Sequence, residues 1–163
     1  MKRACLALCC CVAIVVFSSA GWGFELMGKT APDFMLNTID GSATLSLKDL
    51  RGSVVVIDFW ASWCPPCRRS LPGLAALEQR LKGLKVLAVN IDDDRVKGVE
   101  FLRRNRIKVV ALYDQDKQVV KRYDVSAMPS ALIIDKHGVV RFVHVGYTES
   151  DLDQFKKEIE GLL

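Results

Sequence analysis

Two cysteines, Cys64 and Cys67, stand either side of a Pro65–Pro66 pair in the stretch WASWCPPCRRS. Thiols at this spacing lie about one helical turn apart and can close or open a small disulfide without moving the chain that carries them. The chemistry this supports is thiol–disulfide exchange, in which one thiolate attacks a disulfide and the second thiol resolves the mixed intermediate. Cys64, at the start of an expected helix, is assigned as the nucleophile, because unpaired N–H groups and the helix dipole favour its thiolate. Cys67 is then the resolving thiol. A purely structural disulfide over so short a loop would stabilise little. Half of a zinc site is the other alternative, but no second Cys-x-x-Cys or paired histidine follows to complete it.

The elements around the pair fit this reading. Val54, Val55, Val56 and Ile57 run without polar alternation into Asp58, Phe59 and Trp60, as in a strand buried on both faces. After the cysteines the period changes, and Leu71, Leu74, Ala75, Ala76, Leu77 and Leu81 recur at roughly helical spacing. The pair therefore sits at a strand-to-helix junction. Asp58, inside the apolar run, is costly to bury as an ion, so its pKa is expected to be raised. The alternative is an acid that reaches water at the strand end.

DFWASWCPPC resembles the active site of thioredoxin. The longer stretch APDFMLNTIDGSATLSLKDLRGSVVVIDFWASWCPPCRRSLPGL, with YDVSAMPSALIIDKHGVV later, is similar to the extracytoplasmic thioredoxin-like proteins of the ResA/TlpA group. The similarity runs from about Lys29 to the C-terminus. It implies an α/β thioredoxin-like fold, a central mixed sheet flanked by helices, with an N-terminal hairpin and an inserted strand–helix unit. It also implies thiol–disulfide oxidoreductase activity, which in several members serves cytochrome c maturation. Asp58 matches the buried acid that relays a proton for the second cysteine. Pro129 matches the cis-proline loop beside the cysteines, with the Met128 backbone pairing with substrate and Trp63 covering the pair as part of the docking surface. Trp60 is expected in the core, and Arg68 and Arg69 on a solvated helix face. Ser70 is a departure, since many members carry a glutamate there.

Composition limits the partners. The formal net charge of +4 includes Lys2 and Arg3, which belong to a leader, and the rest is too small and scattered to point to nucleic acid. Lys2–Arg3, the uncharged run Cys5–Phe17 and the small residues Ser18–Ser19–Ala20 read as a signal peptide over 1–20, cleaved after Ala20. The rival is an uncleaved membrane anchor over 4–24, just long enough to span a bilayer. Either way the thioredoxin-like domain, 24–163, is expected outside the cytoplasm, periplasmic and soluble or tethered to the inner membrane. Cys5, Cys9, Cys10 and Cys11 lie in the leader without a lipoprotein pattern, so only Cys64 and Cys67 remain to pair in the mature domain.

The remaining chain reads as follows. Phe34–Leu36 and Thr44–Leu45 flank an Asp40–Gly41 turn as a short hairpin, and Ser46 is placed to cap a turn over Leu47–Leu50. Leu84–Ile91 reads as a second buried strand, followed by Asp92–Asp93–Asp94 as a solvated loop. A calcium role for the three acids lacks a glutamate at loop spacing. The helix Arg95–Arg106 is expected to bury Val96, Val99 and Phe101 or Leu102. Strand 109–113, helix 117–123, strands 131–135 and 139–145, and a last helix opened by Thr148 and Asp151 complete the chain. His137 and His144 are placed on a turn and an exposed strand face.

The leading function is an exported reductant of protein disulfides. Its clients are proteins with disulfides or thiols, and its electrons come from a membrane thiol donor, because the surroundings are oxidising. It is expected to act as a monomer, with no organic cofactor and no metal. The second reading, a disulfide-donating oxidase or isomerase, is disfavoured because Pro65 and Pro66 remove two N–H donors that would stabilise a thiolate. The third, a copper carrier, would want three residues between the cysteines. A peroxidase would need a threonine where Ala61 stands.

Overall fold

The computed structural model describes residues 24–163, so the signal-peptide and anchor readings of the leader lie outside the described residues. Met35–Asn37 (β1) and Thr44–Ser46 (β2) form an antiparallel hairpin. The main sheet is built from Val54–Trp60 (β3), Leu84–Asn90 (β4), Val110–Tyr113 (β5), Ser130–Ile134 (β6) and Val140–Val145 (β7). Its order is β5-β4-β3-β6-β7. β3 runs parallel to β4, and β4 to β5, whereas β6 lies antiparallel to β3 and β7 antiparallel to β6. The helices are Cys67–Arg80 (α1), Arg95–Arg104 (α2), Gln118–Arg122 (α3) and Asp151–Glu160 (α4). The expected mixed sheet, hairpin and inserted β5–α3 unit are all present.

β3 is the central strand, and all seven of its residues are buried. Its side chains alternate between two apolar layers, as the pleat requires. Val55, Ile57 and Phe59 pack with Leu87, Val89, Leu132 and, from α3 and its exit, Val119 and Tyr123. On the other face Val54 and Val56 meet Leu74 and Leu77 of α1 and Phe155 and Ile159 of α4. Trp60 on that face meets Cys67 and Leu71 of α1 and Phe101 of α2. Each such side chain contributes about 1.5–3 kcal/mol on full burial, which is why an uninterrupted apolar run is needed here.

Four local expectations are corrected. The helix starts at Cys67, with Pro66 as its cap, and Cys64 lies in the preceding turn. The reason is steric: a residue followed by proline is pushed out of the helical region, which applies to both Cys64 and Pro65. Ser46 caps nothing with its side chain, its hydroxyl donating instead to Asp33 at 3.4 Å. Val96 is 58% exposed, and α2 buries Phe101 and Gly98. His144 is covered, stacked on Phe155 at 4.3 Å and bonded to Glu158 of α4 at 2.6 Å. Its strand face is roofed by α4, which the sequence of β7 does not reveal. His137 does lie exposed on its turn.

Helix α2 approaches the sheet through Gly98, where an added Cβ would lie 2.6 Å from Ile39 Cδ1 and 2.9 Å from Asn90 Nδ2. Alanine is the better helix former by about 1 kcal/mol, but Asn90 is fully buried and hydrogen-bonded, so it cannot withdraw freely. Overpacking of this kind costs about 1–3 kcal/mol. Gly98→Ala is therefore expected to lower the thermal midpoint by about 2–8 °C. A midpoint at or above that of the parent protein would show that the neighbours yield.

Candidate active site

The site is assembled where β3 ends. Trp60 is followed by the turn Ala61–Ser62–Trp63, and the Cys64 N–H donates to the Ala61 carbonyl at 3.1 Å. Cys64 and Cys67 are joined as a disulfide, their Cα atoms 5.4 Å apart. Cys67 is fully buried and Cys64 is 4% exposed. The first N–H of α1, that of Cys67, donates to Cys64 Sγ at 3.2 Å. In the reduced protein that sulfur is the thiol or thiolate, so the same N–H is placed to stabilise a thiolate at Cys64. Proline lacks an N–H, so neither Pro65 nor Pro66 can add a second backbone donor.

A cleft of about 260 Å³ opens beside the disulfide, between Trp63, Cys64, Pro65 and Pro66 on one side and Ser126–Met128 on the other. Trp63 is 64% exposed at its rim, whereas Trp60 is fully buried. Met128 is half-buried and packs against the cluster that contains both cysteines. The Met128–Pro129 peptide bond is cis, and Pro129 is buried behind the cleft. Arg68 and Arg69 are exposed on α1, and Arg68 stacks over the Phe101 ring at 5.9 Å.

Asp58 lies on the α1-facing side of β3, between Val56 and Trp60 in the alternation. Its neighbours across the sheet are Ala88 and Ala131, which offer no hydrogen-bond donor from their side chains. The carboxyl is 1% exposed, and its Oδ2 has no hydrogen-bond partner within the described residues. Burial alone pushes its pKa well above the usual carboxylate range. Ser70 also faces inward, 2% exposed, with its hydroxyl donating to the Cys67 carbonyl at 3.4 Å.

One part of the site was not legible as such. Asp92, read as part of a solvated acidic loop, is 1% exposed. Its carboxylate accepts from the Ser62 N–H at 3.0 Å, from Ser62 Oγ at 2.9 Å and from Asn90 Nδ2 at 2.8 Å. Only Asp93 and Asp94 behave as the run suggested: Asp93 is exposed, and Asp94 caps α2 by accepting from the Val96 N–H at 2.9 Å. The usable signal was position, since Asp92 lies two residues beyond the buried strand that runs parallel to β3.

Residues 27–143 match the AhpC/TSA family. The thiol-disulfide oxidoreductase ResA of Bacillus subtilis is 30% identical over 95% of this chain and 89% of its own. That of Geobacillus thermodenitrificans is 33% identical over 82% of this chain and 78% of its own. Among solved structures, one from Chlorobium tepidum described as a thiol:disulfide interchange protein DsbE superposes with a TM-score of 0.79. It is 36% identical and covers 83% of this chain and 96% of its own.

The unpartnered acid sets a pH dependence of stability. In the unfolded chain Asp58 ionises near the ordinary carboxylate value of 3.8, whereas in the folded protein it holds its proton to higher pH. The folded state therefore binds more protons in that window, and stability falls as pH rises from the unfolded toward the folded value. The slope for one such group reaches about 1.4 kcal/mol per pH unit. Asp58→Asn removes the ionisation, so its stability relative to the parent protein is expected to grow from pH 4 upward. Urea melts at several pH values would show this, and a pH-independent difference would mean that Asp58 reaches solvent.

Proposed function

The chain belongs to the AhpC/TSA family, among relatives that are thiol–disulfide oxidoreductases, and from that premise we propose that it is an exported reductant of protein disulfides. The observation that carries this reading is the single backbone donor at Cys64 among the described residues. One N–H, from Cys67, reaches the sulfur, and the two intervening residues are prolines. A strongly oxidising disulfide needs a heavily stabilised thiolate in the reduced form, and one donor is a modest provision. The Cys64–Cys67 couple is accordingly expected near the thioredoxin value of about −270 mV rather than the about −120 mV of a strong oxidant. Equilibration with glutathione measures it, and a value above about −150 mV would favour the disulfide-donating oxidase instead.

In the proposed cycle the Cys64 thiolate attacks a client disulfide, forming the S–S bond to the nearer client sulfur while the other client sulfur leaves as a thiolate. Cys67 then loses its proton and attacks Cys64 Sγ, which releases the second client thiolate and closes the Cys64–Cys67 disulfide. Client release by this route needs a base, and Asp58, beneath α1 with an unpartnered oxygen and a raised pKa, is the acid assigned to take the Cys67 proton. Ser70 occupies an inward position beside Cys67 but cannot serve as an acid, so the duty falls on Asp58 alone. The client approaches as an extended segment in the cleft under Trp63. The Met128 backbone lies outside β6 and makes no backbone hydrogen bond within the described residues, which leaves it able to pair with an added strand. Pro129 shapes that loop.

Two variants test the cycle. Cys67→Ser should accumulate client mixed disulfides through Cys64, and Cys64→Ser should accumulate none; the reverse pattern would exchange the two roles. Asp58→Asn should slow disulfide reduction at neutral pH and recover in part as pH rises, because Cys67 then deprotonates unaided. A pH–rate profile matching the parent would remove Asp58 from the cycle.

The setting follows from the same chemistry. Export through the leader places the domain where disulfides persist, so its electrons come from a membrane thiol donor, and the domain works as a monomer, free or tethered by an uncleaved leader. Among the described residues no helix is long and apolar enough to cross a membrane. Cytochrome c maturation is the role proposed for this reductant.

A further inference from the structure

The buried Asp92 carboxylate has no part in the cycle above, yet besides Asn90 it holds both the N–H and the hydroxyl of Ser62, in the turn that presents Cys64. We infer that Asp92 is a positioning residue that sets the reactivity of Cys64, with Asn90 and Ser62 as its partners. The inference rests on Cys64 being the reactive thiol.

Asn90 ends β4 opposite Trp60, the last residue of β3. The Ile91 N–H donates to the Trp60 carbonyl at 3.0 Å and ties the two strand ends together. The Asn90 amide closes a reciprocal pair with Asp92: Nδ2 donates to the carboxylate at 2.8 Å, and Oδ1 accepts from the Asp92 N–H at 3.1 Å. Lys117 Nζ holds the same loop by donating to the Asp92 carbonyl at 2.7 Å. With its own backbone and side chain fixed in this way, the carboxylate takes both polar hydrogens of Ser62.

Ser62 is the middle of the three-residue turn between Trp60 and Cys64. Anchoring its N–H and hydroxyl fixes the Ala61 peptide, whose carbonyl accepts from the Cys64 N–H. The position of Cys64 relative to the Cys67 N–H, its one backbone donor among the described residues, is therefore set by a carboxylate in the loop that follows the neighbouring strand. A hydrogen bond to an ionised thiolate loses strength steeply with misalignment. Releasing Ser62 should thus leave the thiolate less stabilised and raise the Cys64 pKa.

The test is the pH dependence of alkylation of the reduced protein by iodoacetamide, with the modified cysteine identified by peptide mapping and folding followed by circular dichroism. Asp92→Ala should move the alkylation midpoint up by about one pH unit and slow the reaction about tenfold at pH values below it. Asp92→Asn, which keeps one acceptor oxygen, should recover most of that reactivity. Ser62→Ala, which keeps the backbone bond to Asp92, should fall between the parent protein and Asp92→Ala.

Folded Asp92→Ala with the parent midpoint would overturn the inference and leave Asp92 a purely structural residue. A midpoint lowered in both Asp92 variants would also overturn it, because Asp92 would then act through its charge rather than through Ser62. If Asp92→Ala does not fold, Asp92→Asn and Ser62→Ala decide the matter, and parent-like midpoints in both count against the inference. Peptide mapping separates these outcomes from a wrong assignment of the nucleophile, since Cys67 would then carry the label in the parent protein. The readout involves neither client nor electron donor, so it is independent of the direction in which the couple works.

Discussion

The site depends on the complete burial of β3. That strand lies between β4 and β6 with helices α1, α2 and α4 over one face and α3 with the N-terminal segment over the other. A strand so enclosed cannot shift its register without exchanging every side chain between the two layers. Its last residue, Trp60, is therefore a fixed point, and the turn that carries Cys64 starts from there. The same burial has a cost at Asp58, which is enclosed with no side-chain donor among the described residues to offset its lost hydration. One constraint thus places the cysteines and perturbs the acid beneath them.

The chemistry of the turn comes from what two prolines withhold. Helix N-termini offer several free N–H groups, and a Cys-x-x-Cys pair could draw on more than one of them. With Pro65 and Pro66 between the cysteines, one donor is left at Cys64, and the helix begins only at Cys67. The stabilisation of a Cys64 thiolate then turns on the alignment of one hydrogen bond. Under that condition, groups that fix the turn from elsewhere in the chain gain influence, and Asp92 is bonded to it through Ser62. Its carboxylate crosses from the end of β4 to the turn after β3, so the two parallel strands are coupled at their carboxyl ends as well as along their ladder.

The covering elements serve the site in different ways. Helix α1 supplies Cys67 and Ser70 and roofs Asp58, while α4 packs across it, Leu152 lying over Gly73. Helix α2 closes on Trp60 through Phe101, 5.2 Å between ring centroids, and on Asn90 through Gly98. The cleft itself is left open because β6 starts at Ser130, after the cis Met128–Pro129 bond, so the Ser126–Met128 loop faces Trp63 without joining the sheet.

Much of this was open to reading in the sequence because the signals are local. An unbroken Val–Val–Val–Ile run has only a buried central strand as its home, a Cys-x-x-Cys between that run and a helical period has few uses, and an aspartate inside the run must be desolvated. The places of the strands along the chain and the hairpin followed from turn residues and apolar runs, whereas the mixed sheet was what the resemblance implied. What escaped depends on who sits opposite whom. Asp92, Asp93 and Asp94 are chemically identical neighbours, yet one is buried in a three-donor network, one is exposed and one caps a helix. His144 has the flanks of an exposed strand residue and is covered by α4. Asn90 is a local partner of Asp92, but nothing within a few residues records Ser62 or Glu158, because these are distant in the chain and meet Asp92 and His144 only when sheet and helices close. The sequence by itself determined which segments would be buried and which thiols could react. Only the tertiary structure decided which polar groups share that burial, since a buried polar group is tolerated through its hydrogen-bond partners, and those are supplied by the fold.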